Sequence, residues 1–137
     1  MKRRAYLATA VGASAMLAGC SLGSASQDDY DVGMTAMSFR PEETTASVGD
    51  TVVWRNTSSR GHTVTAYENG IPDGAAYFAS GGYETESAAR EAWRTGGDGT
   101  IPGDATFEHT FEVAGTYHYF CIPHESRGMV GRVVVSE

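Results

Sequence analysis

Tyr117 to Val135 reads YHYFCIPHESRGMVGRVVV, and this stretch decides both the fold and the chemistry of the chain. Its two arms alternate as strands do: Thr116 to Cys121 runs up to the cysteine, and Met129 to Val135 leads away from the methionine. Between the arms, nine positions hold Cys121, His124 and Met129, which puts a thiol, an imidazole and a thioether on one short loop. Three ligands from one loop rarely close a metal site alone, so the rest of the chain has to supply a fourth.

Upstream, the chain keeps to short segments punctuated by turn residues. Met34 to Phe39 stops before Pro41, Thr44 to Val48 stops at Gly49-Asp50, and Thr106 to Val113 leads into a turn at Gly115. Thr51 to Asn56 sets Val52 and Trp54 against Val53 and Arg55, while His62 to Tyr67 sets Val64 against Thr63 and Thr65. Many short alternating segments with glycine-rich turns predict an all-β sandwich or barrel. Glu68 to Asp104 breaks the rhythm as a loop and short-helix insertion. Within it, Ser87 to Arg94 carries Ala88, Ala89, Ala92 and Trp93 and is expected to be helical, with Ser87 as the N-cap. Ile71, Tyr77, Phe78 and Trp93 would pack this insertion over one edge of the sandwich, as decoration without a function of its own.

Copper explains the ligand loop best. Cys-x2-His-x4-Met places thiolate and imidazole at neighbouring corners of a site and brings a thioether round to a weak axial position, which leaves one imidazole missing from a trigonal His₂Cys centre. His62 fits that vacancy, because it opens a strand after the turn-rich Asn56 to Gly61 and can face the C-terminal loop. The other two histidines fit it less well. His109 shares a face with Phe107, Phe111 and Val113 and reads as a core-edge residue, and His118 alternates away from Tyr117, Tyr119 and Cys121. Met34 and Met37 lie in an early expected strand and read as packing.

The N-terminus carries a different message. Lys2, Arg3 and Arg4 precede an apolar run from Ala5 to Ala18 that is too short to span a membrane, and Leu17-Ala18-Gly19-Cys20 follows. Arg3-Arg4-Ala5-Tyr6-Leu7 resembles a twin-arginine export signal and Leu17 to Cys20 a lipobox. Residues 1–19 are therefore expected to be a signal peptide, with Cys20 becoming the lipidated first residue. Residues 20–31 form a small, polar, acidic tether; Ser21 to Asp31 reaches about 35–40 Å when extended. Residues 32–137 form the folded domain. This arrangement predicts an exported protein held at the outer face of the cell membrane by lipid, since two acyl chains anchor far more firmly than one.

From Cys20 onward, loss of Lys2, Arg3 and Arg4 from ten basic side chains leaves seven arginines against seventeen acids, a formal balance of −10 with no lysine. Phosphate binding needs a basic patch, so a nucleic-acid partner is excluded. The acidic excess resembles that of proteins from hypersaline organisms. With Cys20 carrying lipid, Cys121 has no disulfide partner within a monomer, so the lone exported thiol should be buried or chemically employed.

The stretches Val48-Gly49-Asp50-Thr51-Val52-Val53-Trp54, Asn56 with His62-Thr63-Val64, Gly115-Thr116-Tyr117, Cys121-Ile122-Pro123-His124 and Gly128-Met129-Val130-Gly131 together resemble the small blue copper proteins of the plastocyanin family, most of all the halocyanins of haloarchaea. The resemblance implies a cupredoxin fold, a Greek-key β-sandwich, with one type 1 copper ion bound by His62, Cys121, His124 and Met129. It implies electron transport by Cu(I)/Cu(II) cycling, no enzymatic activity, a monomer, and membrane-associated electron-transfer proteins as donor and acceptor. It also implies that the Thr63 N–H donates to the Cys121 sulfur, while Pro123 has no N–H to add. Two features depart from the family pattern: Glu125, Ser126 and Arg127 charge the rim of the site, and the insertion is long for a plant plastocyanin although it suits a halocyanin.

Rival classes fit the sequence less well. Cys121 and His124 as nucleophile and base would lack an orienting Asn or Asp and would leave Met129 unused. Multicopper oxidases and copper nitrite reductases need more than four histidines, and a two-copper centre needs two cysteines in the loop. A copper carrier or store without a redox role would use the same soft ligands and stands as the alternative.

Overall fold

The computed structural model describes residues 29–137. The expected signal peptide, the Cys20 lipidation site and all but the last three residues of the expected tether lie outside the described residues. Asp31–Glu137 makes one compact unit. Asp31 itself is fastened to it, its N–H donating to the Val53 carbonyl and its carboxylate accepting from the Val53 N–H, both at 2.8 Å.

Two four-stranded sheets face each other, as the alternating sequence predicts. The strands are β1 (Val32–Met34), β2 (Phe39–Arg40), β3 (Glu43–Ser47), β4 (Thr51–Asn56), β5 (Thr65–Ala66), β6 (Thr106–Thr110), β7 (Gly115–Phe120) and β8 (Val130–Ser136). One sheet runs β2-β1-β4-β6 and the other β3-β8-β7-β5. β7 and β8 pair antiparallel from Gly115 opposite Val135 to Phe120 opposite Val130. The two arms of the opening stretch are thus partners, and the ligand loop is the connection between them.

β4 shows why the sequence folds this way. Val52, Trp54 and Asn56 point inward and are buried, while Thr51 is exposed and Val53 and Arg55 are half-buried. The strand is launched from a tight turn in which Gly49 takes φ +95°, a conformation that suits glycine. The Asp50 carboxylate closes this turn by accepting from the Ser47 N–H at 2.9 Å. Trp54 is the centre of the core, its ring centroid 5.4 Å from that of Tyr119, 5.7 Å from Phe107 and 6.1 Å from Phe78. Full burial of aromatics of this size contributes about 2–3 kcal/mol each.

The insertion is part of that core and not only an overlay. Phe78, Ala79 and Ile101 are buried, and Ile71 and Tyr77 pack beside them as expected; Trp93 is only half-buried. The helix α1 spans Glu86–Gly96 and so starts earlier and ends later than expected. Its cap is Thr85 and not Ser87: the Thr85 hydroxyl accepts from the Ala88 N–H at 3.1 Å, and Gly97 ends the helix at φ +72°.

Two strand expectations are also corrected. Met34 to Phe39 is a hairpin and not one strand, because Thr35 and Ser38 bond to each other through backbone and hydroxyls and turn the chain. Met34 is buried as expected, whereas Met37 sits in this turn, 39% exposed, and is not core packing. Only Thr65–Ala66 of the expected His62 to Tyr67 strand joins a sheet; His62 makes an isolated bridge to Ile101. Among the described residues no helix is long and apolar enough to cross a membrane.

Candidate metal centre

The loop between β7 and β8 coils as a 3-10 turn over Ile122–Arg127. Pro123 suits its first turn, where a missing N–H costs nothing. The His124 N–H donates to the Cys121 carbonyl at 3.1 Å and the Met129 N–H to the His124 carbonyl at 3.2 Å, while the Cys121 N–H donates to the Met129 carbonyl at 3.1 Å. This ring of backbone bonds ties the cysteine, histidine and methionine of the loop together. Gly128 ends the turn at φ +87°, where any side chain would be strained.

His62 reaches the same place from the other direction. Its Nδ1 lies 3.5 Å from Cys121 Sγ, and His124 Nδ1 lies 3.4 Å from the same sulfur. All three donor atoms fall within 4.8 Å of one another. An ion with bonds of about 2.0–2.3 Å to nitrogen and sulfur, the lengths seen with zinc, draws its donors to separations of this order, so the residues fit a single small ion. A thiolate, two imidazoles and a buried thioether from Met129 are the donor chemistry of copper. His62, Cys121 and Met129 are fully buried, and His124 alone is partly exposed.

The tautomer of His62 follows from its neighbours. The Asn56 amide nitrogen donates to the carbonyls of Arg60 at 2.6 Å and Ile101 at 2.8 Å, which fixes its orientation. Its oxygen then accepts from the Ser58 N–H at 2.9 Å and the Ser58 hydroxyl at 2.8 Å. With its proton on Asn56 or on the Arg60 carbonyl 3.3 Å away, the Ser58 oxygen accepts from His62 Nε2 at 3.1 Å, and the Thr35 carbonyl likewise favours a ring that donates. This arrangement favours the neutral ring with its proton on Nε2 and its bare Nδ1 toward Cys121. The sequence motif assigns Asn56 no role, and the only signal for Ser58 is the turn residues around it.

Electrostatics favour the neutral rings. Burial, then the neighbouring His124, lowers the His62 pKa, against the Thr35 carbonyl that favours the charged form. His124 is lowered by burial and then by Arg60 and Arg127. Burial pushes the Cys121 thiol up, partly offset by the Thr63 N–H. That N–H lies 3.4 Å from the sulfur, as the resemblance implied, and the Thr63 hydroxyl accepts from the Ile122 N–H at 2.8 Å, bracing the loop. Pro123 adds no donor.

The remaining sequence candidates lie elsewhere. His109 stacks on Phe78 at 4.4 Å and meets Phe111 edge-on at 4.8 Å, as a core-edge histidine should. His118 is exposed. Glu125 does not stand free at the rim: Arg90 of α1 pairs with it at 2.8 Å and the Tyr67 hydroxyl donates to it at 2.6 Å. Exposed Arg127 donates to the Met37 sulfur at 3.5 Å.

Comparison with known proteins agrees with this geometry. Residues 26–136 match the model of copper binding proteins of the plastocyanin/azurin family. Chloroplast plastocyanin of Hordeum vulgare is 32% identical, the match covering 98% of this chain and 77% of the relative. Plastocyanin of Scenedesmus fuscus is 32% identical over 73% of this chain and 88% of the relative. Amicyanin from Paracoccus versutus superposes with a TM-score of 0.56 at 28% identity, over 79% of this chain and 82% of that one. An amicyanin variant solved in its reduced Cu(I) form gives 0.55 at 28% identity, over 77% and 79% of the two chains. The fold is that of a cupredoxin, the cofactor is copper, and the chain belongs to the plastocyanin/azurin family of copper-binding proteins.

Proposed function

We propose that this protein is a membrane-anchored blue copper electron carrier of the halocyanin type, in which His62, Cys121, His124 and Met129 hold one copper ion. The observation that carries the reading is the convergence of His62, Cys121 and His124 from two separate parts of the fold, with their donor atoms within 4.8 Å. Bound copper supplies a one-electron Cu(I)/Cu(II) couple. The residues contribute a shape fixed in advance: His62 held by Ser58 and Asn56, the Cys121–Met129 loop closed by its own backbone bonds, and the sulfur faced by the Thr63 N–H. Ligands that need little rearrangement between oxidation states suit rapid transfer.

Partly exposed His124 is the natural edge for a partner. Arg60 and Arg127, both exposed, flank it, so an acidic face on the membrane-associated donor or acceptor would complement this edge. Support for anchoring comes from Arg3-Arg4 and from Leu17-Ala18-Gly19-Cys20, which resemble an export signal and a lipobox and would make Cys20 the lipid-bearing residue. Support for the halocyanin type comes from the acidic balance, the absence of lysine after residue 2 and the long insertion.

A copper store is the competing reading, and Met129 separates the two. In a carrier the Met129 thioether would tune the relative stability of the oxidation states and hold the metal only weakly. Met129→Leu should then raise the reduction potential and Met129→Gln should lower it, with copper still bound. In a store, loss of Met129 should chiefly weaken Cu(I) affinity. Voltammetry with a Cu(I) competition titration decides: a large loss of Cu(I) affinity without an ordered shift in potential would refute the carrier.

A further inference from the structure

The insertion reaches the metal loop through one residue. Arg90, on α1, sends Nη1 to Glu125 Oε1 at 2.8 Å and Nη2 to Glu125 Oε2 at 3.2 Å, a two-pronged bond that lysine cannot copy. Its Nε donates to Glu86 Oε2 at 2.9 Å, which fixes the guanidinium plane from behind. The same group lies 4.3 Å above the Phe120 ring, and the Tyr67 ring stacks on Phe120 at 4.3 Å while its hydroxyl donates to Glu125 at 2.6 Å. Glu125 follows His124 directly, and Phe120 precedes Cys121. The contacts of Arg90 and Tyr67 therefore straddle the ligand pair, gripping the chain one residue outside it on each side.

We infer that Arg90 is a positioning residue, and that α1 acts through it as a strut setting the conformation of the Cys121–Met129 loop. Without the Arg90–Glu125 pair the loop would be held by its internal backbone bonds, by Thr63, by the single Tyr67–Glu125 bond and by the exposed Arg127–Met37 contact, and the 3-10 turn Ile122–Arg127 has no buried side chain to anchor it. Arg90 and Glu125 are each 31% exposed at the side chain, so their pairing is partly shielded from salt. The insertion then has a task at the site, which the expectation of simple decoration did not give it. The consequence at copper rests on the carrier reading above; the ordering of the loop does not.

The test begins with metal-free protein. Amide hydrogen exchange is compared between wild type and Arg90→Met, which keeps length and apolar bulk but removes the fork. The His124, Gly128 and Met129 amides, all bonded within the loop, should exchange about tenfold faster or more, while the Asn56 amide of the other sheet and the Phe111 amide just after β6 stay within about twofold. Arg90→Lys should recover part of the protection. In copper-loaded protein the same order, wild type then Lys then Met, should appear as a graded displacement of the visible band. If Arg90→Met does not fold, near-isosteric Glu125→Gln, which leaves the Arg90–Glu86 pair in place, gives the same exchange readout. Unchanged loop exchange overturns the inference, and so does equal acceleration across both sheets, which would make the pair a general staple. Failure to bind copper would sink the carrier reading while leaving the exchange result standing.

Discussion

Replacing Asn56 by alanine should remove the support of His62 before any metal is involved. The Asn56 side chain is fully buried and makes four hydrogen bonds, to the Arg60 and Ile101 carbonyls and from the N–H and hydroxyl of Ser58. A typical buried hydrogen bond contributes about 0.5–1.5 kcal/mol, and a buried group left unpaired costs about 1–3 kcal/mol. Arg60 and Ser59 are exposed and Ser58 half-exposed, so water can replace part of what the turn loses. The Ile101 carbonyl is buried and keeps only the His62 N–H at 3.3 Å. These terms together give a loss of about 3 kcal/mol, a large value for one side chain. A domain of this size loses about 4 °C or more per kcal/mol, so Tm of metal-free protein should fall by about 12 °C or more. Asn56→Asp supplies a sharper check: its carboxylate would face two carbonyl oxygens, raising its folded pKa, so that variant should regain stability as the pH falls and the protonated form donates again. Urea unfolding of metal-free wild type and both variants measures the differences. A loss below about 1 kcal/mol for Asn56→Ala would refute the claim that this amide builds the turn that places His62.

Three further outcomes follow from other parts of the molecule. Burial lowers the His109 pKa, so the unfolded chain takes up a proton near pH 6.5 that the folded protein refuses, and stability drains away as pH falls below about 6.5. His109→Phe should flatten that slope relative to wild type in acid unfolding of metal-free protein, and an identical slope would contradict the assignment. Cys20→Ser should move the protein from the membrane fraction to the soluble fraction, and retention in the membrane pellet would refute lipid anchoring. In molar salt, where the Debye length is about 3 Å, neutralising acidic residues far from His124 should barely change the rate of electron exchange with a partner; a steep loss would contradict contact-range docking.

The ligand loop could be read from the sequence because its geometry is local. Cys121, His124 and Met129 sit on a connection between two strands that pair with each other, so spacing along the chain translates directly into spacing at the site. Alternation exposed β4 for the same reason. The turn at Thr35–Ser38 is not legible in the sequence because it lacks glycine, proline, asparagine and aspartate, and its signal is a pair of hydroxyls bonding to each other. The cap of α1 is Thr85, two residues before the expected Ser87, and the acidic Glu86 in the first turn is the sequence feature that agrees with the earlier start. The Arg90–Glu125 pair joins residues 35 apart in sequence and depends on where the sandwich places the insertion, so no local pattern announces it.

The most direct test of the copper account is titration of metal-free protein, from Cys20 onward, with Cu(II), followed in the visible spectrum alongside Cys121→Ser. The account predicts an intense thiolate-to-copper band that saturates at one copper per chain, bleaches on reduction and returns on oxidation, and that Cys121→Ser lacks although it remains folded. Wild-type protein that stays colourless with copper bound, or an equally intense band in Cys121→Ser, would contradict it.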